Sequence, residues 1–139
     1  MKHIQSYTHQ AEGFTPLYLS STWQVAQINY APNQAPGNIK SIDIHFETDE
    51  LFVLLQGEAV LIGGMKNEAG IPDLEYQLMK PGIVYNIPKM TWHNIALKEG
   101  AQVLIFEDIN SHLGKYEIIP LDEAMIEEVN AKVCQMLIS

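Results

Sequence analysis

The feature that most constrains this chain is how often it is made to turn. Pro16, the stretch APNQAPGN at 31–38, Gly57, the stretch GGMKNEAGIPD at 63–73, Pro81-Gly82, Pro88 and Gly100 cut 139 residues into short pieces. Proline lacks a backbone donor and glycine accepts left-handed conformations, so both end regular elements more readily than they extend them. Between these breaks stand runs with strand character at 23–30, 39–46, 51–56, 59–62, 74–79, 84–87, 93–97, 102–107 and 115–119. Many short strands at this spacing predict an all-β antiparallel sandwich or barrel.

The tail reads differently. In PLDEAMIEEVNAKVCQMLIS the residues Leu121, Met125, Val129, Val133, Met136 and Leu137 recur at helical spacing on one face. Asp122 is suited to cap the helix, with Leu121 before it and Ile126 after it as a hydrophobic staple. The expectation is one domain over 1–139, with a β core over about 20–119 and a helix over about 122–137 that covers apolar surface.

Charge narrows the partners. With 8 Lys and Arg against 17 Asp and Glu, the formal charge is −9 and the pI near 4.8, which disfavours nucleic acid and anionic membranes. Apolar residues make up 47%, yet no run approaches the ~20 residues a membrane helix needs. The opening MKHIQSYTHQAEGF has no apolar core of a signal peptide, and the expected location is the cytoplasm. The lone Cys134 lies in the helical pattern and reads as a packing residue.

Chemistry concentrates in DIHFETDELFVLLQG at 43–57. On the strand 39–47, Ile42, Ile44 and Phe46 share one face, and Ser41, Asp43, His45 and Glu47 share the other. The five apolar residues 51–55 suggest a strand buried on both faces. A second segment, TWHNIAL, puts His93 on the face of Thr91, Ile95 and Leu97, directed inward. An inward imidazole, or an inward carboxylate such as Glu50, needs a partner. Trp92 should pack on the opposite face. Glu47 and Asp49 read as turn residues, and His3, His9 and His112 as exposed.

These two segments together resemble the cupin superfamily. Its first motif ends in a Glu, six residues and a Gly; Glu50, LFVLLQ and Gly57 match that ending. His45, five positions before Glu50, falls where the second cupin His commonly lies, and Asp43 stands in the place of the first. The second motif is matched by Gly82, IVYNI, Pro88, Lys89, Met90, Thr91-Trp92 and His93, with Met90 where the family has Gly and Leu97 where it often has Asn. The resemblance implies a cupin-type double-stranded β-helix, a jelly-roll barrel, followed by the C-terminal helix. It implies a metal set of Asp43, His45, Glu50 and His93 for Fe, Mn, Ni, Zn or Co, with the Asp43 substitution leaving retention of the metal open.

If Asp43 and His45 face the barrel interior, Ile42, Ile44 and Phe46 face outward and need cover from the helix, the N-terminal segment or a second subunit. A homodimer is expected, as is common in the family. The function implied is binding of a small polar molecule, through a metal with dioxygenase, isomerase or lyase chemistry, or without metal as a ligand- or sugar-sensing module. A metal-free epimerase using His93 or His45 as base, with Tyr85 as second group, and a scaffold with vestigial polar positions are the remaining alternatives.

Overall fold

The computed structural model describes residues 3–109, 111 and 113–137. Ten strands and one α-helix follow in order, with a single 3-10 turn at Pro32–Gln34: β1 (Gly13–Leu19), β2 (Trp23–Asn29), β3 (Ser41–His45), β4 (Glu50–Gln56), β5 (Ala59–Lys66), β6 (Pro72–Leu78), β7 (Val84–Ile87), β8 (Trp92–Leu97), β9 (Gln102–Asp108), β10 (Tyr116–Pro120) and α1 (Glu123–Leu137). They form two five-stranded antiparallel sheets, ordered β1-β2-β9-β4-β7 and β10-β3-β8-β5-β6. Strand β1 is absent from the sequence expectation, because Pro16 argues for a break. Pro16 is tolerated because β1 is an edge strand whose register shifts just after it.

Two apolar layers hold the sheets. Ala26, Phe52, Leu54, Val103 and Ile105 from one sheet meet Leu61, Ile95 and Leu97 from the other. On the far side of the second sheet, Ile42, Ile44, Val60, Ile62 and Trp92 pack under Val129 and Val133 of α1. Strand β5 serves both layers: Ala59 and Leu61 face one, Val60 and Ile62 the other, which is why it is a continuous apolar run.

The outward Ile42 and Ile44, at 0% and 4% exposure, thus find their cover in the C-terminal helix. Asp122 caps that helix by accepting the Met125 N–H at 2.8 Å, and Leu121 and Ile126 join the layer beneath it. Asn130 fastens it further, accepting from the Ile39 N–H at 3.0 Å and donating to the Ile39 carbonyl at 2.8 Å. A helix side chain thereby takes the place of a strand partner at the lead-in to β3.

Two expectations fail. Strand β4 is buried on one face only: Phe52 and Leu54 are enclosed, whereas Leu51 and Leu55 are 38% and 45% exposed. No described element covers that outer face, since α1 lies on the other sheet. Gly63-Gly64 continue β5 instead of opening a loop. A side chain on Gly64 would collide with the Asp73 backbone of β6, so the glycine marks close strand approach and not a turn.

Candidate metal centre

The site is assembled from one position on each of several strands. Asp43 and His45 alternate on β3 and share its inner face, Glu50 opens β4, and His93 stands in β8 in register with Asp43. The turn before β4 is sorted by hydrogen bonds. Asp49 accepts from the Lys89 N–H at 2.9 Å and from Asn86 at 3.3 Å, while exposed Glu47 pairs with Lys115 at 3.3 Å. Those two carboxylates therefore serve the loops, and Glu50 alone of the three enters the interior, at 5% exposure.

The turn before β8 explains the Met90 departure. Met90 has φ 70, the left-handed region that favours glycine, and its N–H reaches the His45 carbonyl at 2.8 Å. The backbone here takes a conformation that glycine prefers, although the side chain is Met. Gly57, which closes the first motif, has φ 82, and a Cβ there would lie 2.6 Å from Ala101 Cα. Both motifs are thus legible as backbone constraints as well as ligands.

Each imidazole reaches both carboxylates. His93 Nε2 lies 2.8 Å from Glu50 Oε1 and 3.5 Å from Asp43 Oδ2; His45 Nε2 lies 3.1 Å and 3.8 Å from the same atoms. Metal bonds of ~2.0–2.2 Å place neighbouring ligand atoms of one ion ~3.0–3.5 Å apart, which these separations bracket. His93 Nδ1 is 2.9 Å from the Thr91 carbonyl, which can only accept, so Nδ1 carries the hydrogen and the neutral ring presents a bare Nε2. Glu50 Oε1 has no N–H aligned on it despite its close neighbours, and His45 Nδ1 is buried without a partner among the described residues. Donors that converge on a point, instead of on one another, fit a cation between them.

Without a cation the charges settle differently. Burial would depress the His93 imidazolium, but the neighbouring Glu50 and Asp43 carboxylates outweigh it and lift the pKa to about 9. Burial pushes Glu50 up, yet His93 and His45 hold it below its ordinary value. Burial raises Asp43, against the pull of His93 and His45.

Glu107 is the residue that the sequence reading missed. It lies on β9, buried, with Gln24 of β2 donating to its Oε1 at 2.9 Å. Burial first, then the charge of Glu50 and a hydrogen bond with it, push its pKa up to about 8. Its carboxylate falls within 4.8 Å of ligand atoms of His45 and Glu50, as those of Asp43, His45 and His93 do among themselves. Strand parity carries the signal: Glu107 shares the inward face with Val103 and Ile105. Tyr85 stands elsewhere. Its hydroxyl accepts the Lys80 N–H at 3.0 Å and borders a different cavity, with Tyr76 and Asn86.

Trp92 packs on the opposite face under α1, with Lys66 Nζ 4.7 Å from its ring. His3 is exposed, His9 is half-buried and contacts the Gly13 carbonyl at 2.9 Å, and His112 lies outside the described residues.

Among solved structures the chain is similar to oxalate oxidase, with TM-score 0.54 and 14% identity over 95% of this chain and 79% of that one. The structure of KdgF from Halomonas sp. aligns with TM-score 0.52 and 15% identity over 90% and 94% of the two chains. The fold is that of the cupins. At such identities the likeness establishes the fold alone. The same fold is shared with peruvianin-I, a cysteine peptidase from Thevetia peruviana latex, at TM-score 0.53, 14% identity and 85% and 74% coverage. Activities this different on one cupin barrel leave function to be read from the site. No protein-family model matches the chain, and no curated protein does.

Proposed function

We propose that this cupin binds a small polar molecule beside one divalent transition metal held by Asp43, His45, Glu50 and His93. The observation that carries it is the His93 geometry: Nδ1 committed to the Thr91 carbonyl, Nε2 directed at a Glu50 oxygen that has no aligned donor. When bound, an Fe, Mn, Co, Ni or Zn ion would supply Lewis-acid polarisation of a carbonyl or hydroxyl, or dioxygen chemistry in the case of iron. The chain's own part is to orient and to enclose. Thr91 fixes the His93 tautomer, Gln24 steadies Glu107, and Phe52, Ile95 and Ile105 wall the cavity against water.

Elemental analysis of gently purified protein tests this reading. It should give about one transition-metal ion per chain, lost in His93→Gln and in Glu50→Gln. Metal-free wild-type protein that binds none of the five ions would favour a metal-free ligand-binding module instead.

The homodimer we assign to the outer face of sheet β1-β2-β9-β4-β7. There Leu51 pairs with Phe106, and Val53 with Leu104 and Val84, in uncharged rows. Leu51 and Val84 are 38% and 61% exposed. In a chain of charge −9, these uncharged rows are where two copies can approach. Sedimentation should give twice the chain mass, and Leu104→Glu should return it to one; a monomeric wild type would contradict the assignment.

A further inference from the structure

The cavity beside these ligands is small and one-sided in its chemistry. Its volume is about 180 Å³. Phe14, Ile28, Phe52, Ile95 and Ile105 supply its apolar lining; Asp43, Glu50 and Glu107 with the two imidazoles supply most of its polar lining. Among the described residues no lysine lines it, and all 8 basic residues of the chain are lysines, so no arginine exists to clamp an anion.

The neutral polar side chains supply few free donors. Both hydrogen bonds from Gln34 Nε2 go to the protein itself, to Asn94 Oδ1 and the Ile95 carbonyl. Asn94 Nδ2 gives one of its two hydrogens to the Ser41 carbonyl at 2.8 Å. His93 Nδ1 is spent on Thr91. What the lining offers in excess is oxygen: the Asp43, Glu50 and Glu107 carboxyl groups and the Gln34 carbonyl.

The metal would not reverse this. Asp43 and Glu50 together cancel the two charges of a divalent ion, whereas three imidazoles and one carboxylate would leave a charge of +1. Asp43 in place of the family's first His therefore makes the centre neutral, and Asp43 is the ligand most open to the cavity, its side chain 29% exposed.

We propose that the pocket takes a small uncharged or cationic molecule carrying hydroxyl or amino donors beside a short apolar part, and discriminates against carboxylates. This rests on the proposed metal centre for the charge count, and independently of it on a lining with three carboxyl groups and no described lysine. The class is that of vicinal diols and amino alcohols.

Three probes on one carbon skeleton separate the cases: 1,2-propanediol, 1-amino-2-propanol and lactate. They differ only in whether the terminal group is neutral, positive or negative. Binding is followed by calorimetry on Mn(II)-saturated wild-type protein, with Mn(II) binding itself measured first. The diol or the amino alcohol should bind at least about tenfold tighter than lactate.

In Asp43→Asn, which removes one negative charge at nearly constant size, lactate should gain about tenfold relative to the diol. Lactate binding as tightly as both other probes in the wild type, or no binding of diol and amino alcohol, would overturn the proposal. If none of Fe(II), Mn(II), Co(II), Ni(II) and Zn(II) binds, the metal reading fails separately. The same order of probes is then expected in chelator-treated protein, from the lining alone, and a preference for lactate there would overturn the ligand assignment too. Should Asp43→Asn not fold, the wild-type order decides.

Discussion

At the scale of the residue, the site shows how a motif can be kept in backbone and altered in side chain. Met90 holds a left-handed φ of 70 where the family places Gly, at a point that hydrogen-bonds the His45 carbonyl. A left-handed non-glycine costs about 1–2 kcal/mol, and glycine repays part of that in unfolded-chain entropy. Met90 is 47% exposed and loses little packing when removed. Met90→Gly should therefore stabilise the protein by about 0.5–1 kcal/mol, read as a higher urea midpoint with unchanged slope. An unchanged or lower midpoint would mean that the Met90 side chain contributes packing that outweighs the strain. Gly57 is the opposite case, since the Ala101 backbone leaves no room for any side chain.

At the scale of the element, most strands were legible because alternation on β3 and the turn residues between strands are local signals. Asp43 and His45 facing away from Ile42 and Ile44 follows from period two alone. What was not legible is tertiary. Five apolar residues at 51–55 read the same whether one face of the strand is covered or both, and only the placement of α1 decides. Glu107 was readable in principle from parity with Val103 and Ile105, but its partner Gln24 lies 83 residues away in sequence. The Asn130 contact to Ile39, 91 residues apart, was equally out of reach.

That contact joins the helix to the chain just before the ligand-bearing strand. Asn130→Ala leaves a buried N–H and carbonyl at Ile39 without their partner, at a cost of about 1–3 kcal/mol. Hydrogen exchange at Ile39 should accelerate more than at β5, and the urea midpoint should fall. Wild-type exchange at Ile39 in the variant would show that the helix is held by its apolar face alone.

At the scale of the whole molecule, the buried charges set how stability follows pH in the metal-free protein. Folded His93 keeps its proton to about pH 9, against 6.5 unfolded, and folded Glu107 keeps its proton to about pH 8, against 4.5. Between about pH 5 and 9 the folded chain thus binds more protons than the unfolded one, so stability falls as pH rises. The His93 part is fully present below its unfolded value and is lost through about pH 9. Glu50, lowered in the fold, acts oppositely: its contribution is present above 4.5 and lost in acid. Urea midpoints of chelator-treated protein should accordingly drop from pH 6 to pH 9. A flat or rising trend would contradict the charge assignment at His93 and Glu107.

A metal changes the sign of that dependence, because its ligands must be deprotonated and binding therefore strengthens as pH rises. The same competition supplies the most direct test of the central claim. Chelator-treated protein at pH 8 is heated with and without a hundredfold excess of Co(II) over its dissociation constant. Binding to the folded chain alone stabilises by about 2.7 kcal/mol, a rise of several degrees in the unfolding midpoint. The account predicts that rise in wild-type protein, its loss in His93→Gln, and a visible Co(II) absorption that appears with it. An unfolding midpoint indifferent to Co(II), Mn(II), Fe(II), Ni(II) and Zn(II) alike would contradict it.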